Sequence, residues 1–176
     1  MADGKAAALF LPMQQEPPSG WHIVAAMPLL QMVLDDSRTV SPVCQAEELT
    51  ESDSPEMLAL AKLTQPGPFG MRTHELGNYV GIRCEEKIVA MAGERLRVEG
   101  YTEISAVCTH PGYLGRGFAA GLIGVVARRI RGRGETPCLH VRGNNTRAIE
   151  LYKRLGFKIR VQLHALVLRR GEQSQP

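Results

Sequence analysis

The sequence predicts a single α/β domain, built on a mixed β-sheet with helices on its faces. Its 176 residues, 44% of them hydrophobic, are enough for one domain with a core of its own. Short runs of β-branched and alternating residues predict strands, and two amphipathic stretches interrupt these runs in the second half of the chain. The order strand, strand, strand, helix, strand, helix, strand is typical of such a sheet.

The first third of the chain predicts one or two strands and a short helix. The segment Trp21–Leu34 is apolar and contains β-branched residues, which favours a strand, and Val43–Leu49 is a second candidate for an extended segment. Thr50 and Asp53 have the spacing of a capping box, and apolar residues then recur at helical spacing as far as Pro66. We therefore expect a helix that begins after Asp53 and ends before Pro66.

The remaining elements follow one another closely. Two β-type runs separated by a polar turn predict a hairpin, and arginines crowd the end of the next helix, where cations complement the helix dipole. In order, we expect a hairpin over residues 79–97, a strand Tyr101–Thr109, a helix Arg116–Arg133, a strand Pro137–Arg142, a helix capped by Asn145 that ends at Gly156, and a strand Phe157–Leu168.

Composition divides the chain into an extension, one domain and a tail. Residues 14–20 combine Gln, Pro and Ser, and residues 171–176 are mostly polar, which is typical of loops and frayed ends. We expect an N-terminal extension over residues 1–20, the domain over residues 21–170, and a flexible tail over residues 171–176.

Apolar runs and cysteines exclude several classes of protein. No apolar run approaches the roughly 18 residues of a membrane-spanning helix, so no membrane partner is expected. Cys44, Cys84, Cys108 and Cys138 lie far apart and form no C-x-x-C pair, so neither a metal site nor a disulfide framework is indicated. The beginning of the chain lacks a secretion signal, which together with unpaired thiols favours a cytoplasmic location.

Charge is distributed unevenly along the chain. Residues 1–110 hold 8 Lys+Arg against 15 Asp+Glu, whereas residues 111–160 hold 11 against 2. The basic stretch suits an anionic small ligand. Nucleic acid is not expected as a partner, because only 5% of the residues are aromatic and few can stack on bases.

The loop HPGYLGRGFA, residues 110–119, carries the clearest chemical signal. Gly115 and Gly117 allow the backbone to turn sharply into the following helix, whose first N–H groups then point outward. Such a turn binds anions. The spacing matches neither a dinucleotide fingerprint nor a Walker loop.

Two motifs in this region resemble the GNAT acyltransferase superfamily. Residues 114–119 (LGRGFA) are similar to its Q/R-x-x-G-x-G/A motif, with Leu114 in place of the usual Gln or Arg. Residues 145–157 are similar to its N-x-x-A-x-x-x-Y-x-x-x-G-F signature. The resemblance extends from about Leu76 to Arg170 and is strongest to the branch related to the C-terminal domain of glycine N-acyltransferases.

The resemblance implies an acetyl-CoA-dependent N-acetyltransferase that acts on a primary amine of a small molecule or peptide by direct attack in a ternary complex. It also implies a mostly antiparallel sheet with a V-shaped splay, which admits the pantetheine arm. The residues implied to bind acetyl-CoA are Val107, Cys108 and Thr109 for the arm, Gly115, Arg116, Gly117, Phe118, Ala119 and Ala120 for the pyrophosphate, Asn145 for the arm, and Tyr152, which would also protonate the leaving thiolate.

Two residues compete for the role of general base. Glu103 on the preceding strand matches the position of the glutamate in histone-type members, and His140 matches that in ribosomal-protein-type members. A free imidazole, with a pKa of about 6.5, suits base work at neutral pH, whereas a carboxylate needs a raised pKa or a water relay. An ordered water or another residue is the third possibility.

Other readings remain open at this level. Leu114 invites a non-catalytic acyl-CoA-binding or regulatory module with the same fold, and a thiol nucleophile at Cys108 or Cys138 is a minor alternative. The acidic balance of residues 1–110 hints at a cationic acceptor such as a polyamine, an aminoglycoside or a lysine-bearing peptide. The long last strand suggests pairing in a homodimer.

Overall fold

The computed structural model describes residues 6–35, 37 and 45–170, which form one open sheet with helices on both faces. Within these residues the strands are β1 (Ala6–Leu11), β2 (Trp21–Leu34), β3 (Glu47–Leu49), β4 (Tyr79–Cys84), β5 (Lys87–Val98), β6 (Tyr101–Thr109), β7 (Thr136–Arg142) and β8 (Phe157–Arg170), and the α-helices are α1 (Ser54–Thr64), α2 (Phe118–Gly132) and α3 (Thr146–Arg154). The strand order is β1-β8-β2-β7-β6-β5-β4-β3. Every neighbouring pair is antiparallel except β6 and β7, which are parallel.

Most predicted elements are confirmed. Strand β6 has the predicted bounds, and β2 fills the predicted segment as one strand. Helix α2 begins at Phe118 instead of Arg116, because Gly115 and Gly117 adopt left-handed conformations before it. Of the segment Val43–Leu49, only Glu47–Leu49 is seen as a strand, and its first two residues lie outside the described residues.

The capping box of the first helix is also present. The Thr50 backbone N–H donates to Asp53 Oδ2 at 2.7 Å, and the Thr50 side chain bonds the same carboxylate at 3.1 Å. The box encloses one turn of 3₁₀ helix, Glu51–Asp53, which runs directly into α1. The predicted start of the helix therefore holds to within one turn.

The segment expected as an N-terminal extension contains strand β1, which pairs antiparallel with β8 along its whole length. Strand β8 consequently lies between β1 and β2: β2 pairs along most of its length, whereas β1 pairs only with residues 164–169. Pairing of the last strand in a homodimer stays a prediction. The predicted tail, residues 171–176, lies outside the described residues.

The sheet splits between β6 and β7, which confirms the predicted splay. These strands pair through Tyr101–Thr136, Thr102–Pro137 and Glu103–Cys138, and beyond Glu103 no further pair joins them in the described part of the chain. Strand β7 continues along β2, while β6 continues along β5 with a register shift around Ala106, whose φ is +52°. A bulge in β6 thus accompanies the divergence of the two strands.

The two faces of the sheet have different cores. Helices α2 and α3 cover one face, where Leu139 and Val141 of β7 are buried. Helix α1 covers part of the other face. Because side chains alternate along a strand, His140 points to the face of α1. None of the helices in the described ranges is both long and apolar enough to span a membrane.

Candidate functional site

A cavity of about 830 Å³ passes through the split in the sheet. At one end it reaches the loop before α2 and the first turns of α2 and α3, and at the other end it reaches β1, β2 and β8. Both sides of the split contribute, with Val107, Cys108 and Thr109 from β6 and His140 and Val141 from β7. The cavity therefore connects the two faces of the sheet.

The turn before α2, called the cradle below, has the geometry of an anion-binding turn. Gly115 and Gly117 have φ values of +80° and +78°, and an added Cβ on either would meet nothing within 4 Å. Conformation and not space therefore demands glycine at both positions. The Gly121 N–H donates to the Gly117 carbonyl at 3.0 Å, so the helical ladder starts there and the preceding amides face the cavity.

Arg116 lies in the same turn, and its guanidinium group packs over the aromatic ring of Tyr113. Its guanidinium carbon lies 4.8 Å from the centre of the Tyr113 ring, in a cation–π contact. The exposed side chain of Leu114 also reaches the cavity. Positive charge in this turn thus comes from Arg116 and the backbone amides.

Helix α3 presents Asn145 and Tyr152 to the cavity. The Asn145 carboxamide oxygen accepts a hydrogen bond from the Ala148 N–H at 3.1 Å, so it caps the helix as its sequence position predicts. Burial raises the pKa of Tyr152 to about 12, so its hydroxyl keeps its proton at neutral pH.

The two cysteines near the split are protonated thiols. Burial raises the pKa of Cys108 to about 11 and that of Cys138 to about 11. A thiol attacks as its thiolate, and at neutral pH almost none is present at such values. Neither residue therefore fits the role of nucleophile.

A buried ion pair closes the bottom of the split. Glu103 is 2% exposed, and its carboxylate accepts from Arg95 Nε at 2.9 Å and Arg95 Nη2 at 2.8 Å. His140 Nδ1 lies 2.7 Å from Glu103 Oε1. Burial acts to raise the pKa of Glu103, but the hydrogen bonds from His140 and Arg95 outweigh it and hold that pKa below its ordinary value. The carboxylate is therefore ionised and engaged on both oxygens.

The hydrogen-bond network assigns the tautomer of His140. Gln31 Oε1 accepts from Arg160 Nη1 at 2.7 Å, so the Gln31 amide nitrogen is the atom that lies 3.1 Å from His140 Nε2. An amide nitrogen only donates, so Nε2 accepts and Nδ1–H donates to Glu103. This arrangement leaves a neutral imidazole with its lone pair on Nε2, beside the cavity.

The structure brings the predicted site residues together around this cavity, with one exception. Glu103 is covered by Arg95 and His140 and does not line it. The lining residues among those predicted are Val107, Cys108, Thr109, Gly115, Arg116, Gly117, Phe118, Ala119, Ala120, His140, Asn145 and Tyr152.

Several residues at or near the cavity were not identified from the sequence, and four of them form contacts within the site. Arg95 follows Glu94 in a strand whose side-chain directions depend on register, and Gln31 lies in a segment without a motif. Tyr113 is part of the quoted loop, but its contact with Arg116 depends on the turn. Phe10, in a short apolar run, reaches the site only because the sheet curls: its ring centre lies 4.9 Å from that of His140.

Comparison with known proteins agrees with this geometry. Residues 79–165 match the family model described as FR47-like protein. A crystal structure of an acetyltransferase assigned to the GNAT family, from Novosphingobium aromaticivorans, is 39% identical with a TM-score of 0.89, over 97% of this chain and 76% of that one. A search of curated proteins finds no match.

Two solved structures of lower identity share the fold. The ribosomal-protein-S18-alanine N-acetyltransferase from Escherichia coli is 20% identical with a TM-score of 0.59, over 75% of this chain and 99% of that one. A GCN5-related N-acetyltransferase from Kribbella flavida is 21% identical with a TM-score of 0.59, over 86% of this chain and 60% of that one.

Proposed function

Since this chain belongs to the GNAT family of acetyltransferases, we propose that it transfers an acetyl group from acetyl-CoA to a primary amine of a small molecule or peptide. Acetyl-CoA supplies the acetyl group as a thioester. The observation that carries the proposal is a single cavity that joins an anion cradle at the start of α2 to the split between β6 and β7. A long ligand with an anionic end and an extended arm fits this combination.

The cradle and the split suit different parts of the ligand. The amides of residues 117–120 and the Arg116 side chain provide donors for a diphosphate. Strand β6 pairs with β5 through Cys108 and Thr109, and its other edge faces the split. Its backbone groups are thus placed to bond an amide-containing arm as an added strand would.

His140 is the residue that best fits the base. The role needs a free lone pair beside the cavity, which its Nε2 has once the incoming amine displaces the Gln31 amide. Glu103 is then a positioning residue, because it holds Nδ1–H and stabilises the imidazolium that forms. Glu103 itself is a poor base, because its pKa is lowered and its carboxylate accepts two hydrogen bonds from Arg95.

The hydroxyl of Tyr152 is suited to donate a hydrogen bond to the sulfur of the leaving CoA thiolate. A phenol with a pKa of about 12 is a weaker acid than a thiol, whose pKa is about 8.5. We therefore assign Tyr152 a hydrogen bond that stabilises the thiolate, which takes its proton from solvent after release while Tyr152 keeps its own. Because Cys108 and Cys138 are protonated, direct attack by the amine is favoured over an acetylated enzyme.

Calorimetric titration with acetyl-CoA, combined with a thiol-release assay over a panel of primary amines, tests the proposal. Micromolar binding and amine-dependent release of CoA are expected. Binding without release for any amine would instead favour a regulatory module that keeps the fold, the alternative that exposed Leu114 invites. Absence of binding would contradict both.

A further inference from the structure

The end of the cavity opposite the cradle is walled by apolar side chains from three strands. Phe10 of β1 lies opposite Ala165 of β8, which lies opposite Met27 of β2, so the three share one face of the sheet. Met27, Leu29 and Gln31 follow one another at alternate positions, and Gln31 lies opposite His140. The apolar wall, as defined here, consists of Ala8, Phe10, Met27, Leu29, Ala165 and Val167.

The wall lies directly beside the proposed base. The Phe10 ring centre is 4.9 Å from that of His140, and the Arg95 guanidinium carbon is 5.9 Å from the Phe10 ring centre. Strands β1 and β7 are separated in the sheet by β8 and β2, so the contact between Phe10 and His140 requires the sheet to curl. An amine that reaches His140 Nε2 therefore has its body against the wall.

Charge along the cavity argues against a polycationic acceptor. Among the described residues that line it there is no Asp or Glu; of its five arginines, Arg95 and Arg142 lie near the wall, and the other three lie in the cradle or in α3. Glu103, just behind the lining, is already bonded by Arg95 and His140. Some acidic residues of the first part of the chain are paired elsewhere: Asp53 and Glu56 both pair with Arg83. A second ammonium group would find no carboxylate and would face like charge.

We propose that the acceptor is a primary amine with an apolar body and no second positive charge, seated between Phe10 and the rest of the apolar wall. This inference rests on the proposed acetyl transfer and departs from the hint of a polyamine, an aminoglycoside or a lysine-bearing peptide. Apolar contact supplies the affinity, and His140 receives the proton as the nitrogen attacks.

Two amines of equal chain length, n-hexylamine and hexamethylenediamine, test the proposal in a thiol-release assay. The monoamine is expected to have a kcat/KM about 100-fold higher, because the diamine buries an unpaired charge. Equal values, or a preference for the diamine, would overturn the inference while leaving acetyl transfer established. No release with either amine or with the wider panel would instead remove the proposed function and the inference together.

Variants of strand β1 locate the effect. Phe10→Ala should raise the KM for n-hexylamine about 10-fold through lost apolar contact, with kcat and the KM for acetyl-CoA little changed. Leu9→Ala is the matched control, since Leu9 is the exposed neighbour on the same strand and is not part of the wall. Equal effects of both substitutions would contradict a specific role for Phe10.

A variant with an expected gain of activity tests the acceptor site in a way that a loss of folded protein could not mimic. Met27→Glu places a carboxylate in the wall, and it should raise kcat/KM for hexamethylenediamine relative to n-hexylamine by about 10-fold or more. An unchanged ratio in a variant with native circular dichroism would count against the wall as the acceptor site.

Discussion

His140 Nδ1 lies 2.7 Å from Glu103 Oε1, although the strands that carry them separate immediately beyond this point. The pair therefore bridges the two sides of the split at its closed end. Arg95 on one side and Gln31 on the other complete the network, so that both hydrogen-bonding atoms of the imidazole are engaged. We therefore expect substitutions of His140 and Glu103 to reduce turnover to different extents.

Substitution of the proposed base should reduce turnover most. His140→Gln is expected to lower kcat about 100- to 1,000-fold, because proton removal from the amine is lost. Glu103→Gln should lower kcat about 10-fold or more, since it weakens both the positioning of the imidazole and the stabilisation of the imidazolium. His22→Gln, at an exposed position of β2, is the control. A larger loss with Glu103→Gln would transfer the role to the carboxylate.

Tyr152→Phe should lower kcat about 10- to 100-fold with little change in the KM for acetyl-CoA. A hydrogen bond to a developing charge is worth about 1.5–3 kcal/mol, and this substitution removes only the hydroxyl. Tyr101→Phe, at an exposed position of β6, serves as the matched control. An unchanged turnover number in steady-state assays would exclude Tyr152 from the chemistry.

Substitution of two glycines with left-handed backbone conformations distinguishes an effect on acetyl-CoA binding from an effect on folding stability. Gly117→Ala and Gly134→Ala change residues with φ of +78° and +77°, so each should cost about 1 kcal/mol of folding free energy. Gly117 lines the cavity and Gly134 does not. Calorimetry should show weaker acetyl-CoA binding, by about 10-fold or more, in the Gly117 variant alone. Equal affinities in the two variants would place the diphosphate elsewhere.

The buried carboxylate should make stability depend on pH. Because the pKa of Glu103 is lowered on folding, its contribution is present above the unfolded value of about 4.3 and is lost as the pH falls toward the folded value. At pH 7 we expect Glu103→Gln to be about 3 kcal/mol less stable, with the difference shrinking below about pH 4.3. Urea unfolding across this range measures it, with exposed Glu150→Gln as control. A difference independent of pH would contradict the ion pair.

Local signals determined the elements that surround the cradle. The strand Tyr101–Thr109 is rich in β-branched residues and is stopped by Pro111, and Asn145 marks the start of α3 because its side chain caps the helix. The glycines of the loop likewise predicted where the chain would turn. Such features depend on neighbours in sequence, which is why they could be predicted.

Features set by distant pairing could not be predicted. Phe10 joins the site because β1 pairs with β8, where its partner Ala165 lies 155 positions later in the chain, and because the sheet then curls toward His140. The choice between Glu103 and His140 likewise depended on Arg95, whose direction is determined by strand register around two irregularities in β5 and β6. Periodicity alone contains neither kind of information.

A crystal structure of the protein grown with CoA tests the central claim most directly. We expect the diphosphate on the amides of residues 117–120 and the pantetheine arm between β6 and β7, with the sulfur beside Tyr152. Coenzyme density outside this cavity, or β6 and β7 hydrogen-bonded to each other along the segment where they now separate, would contradict it.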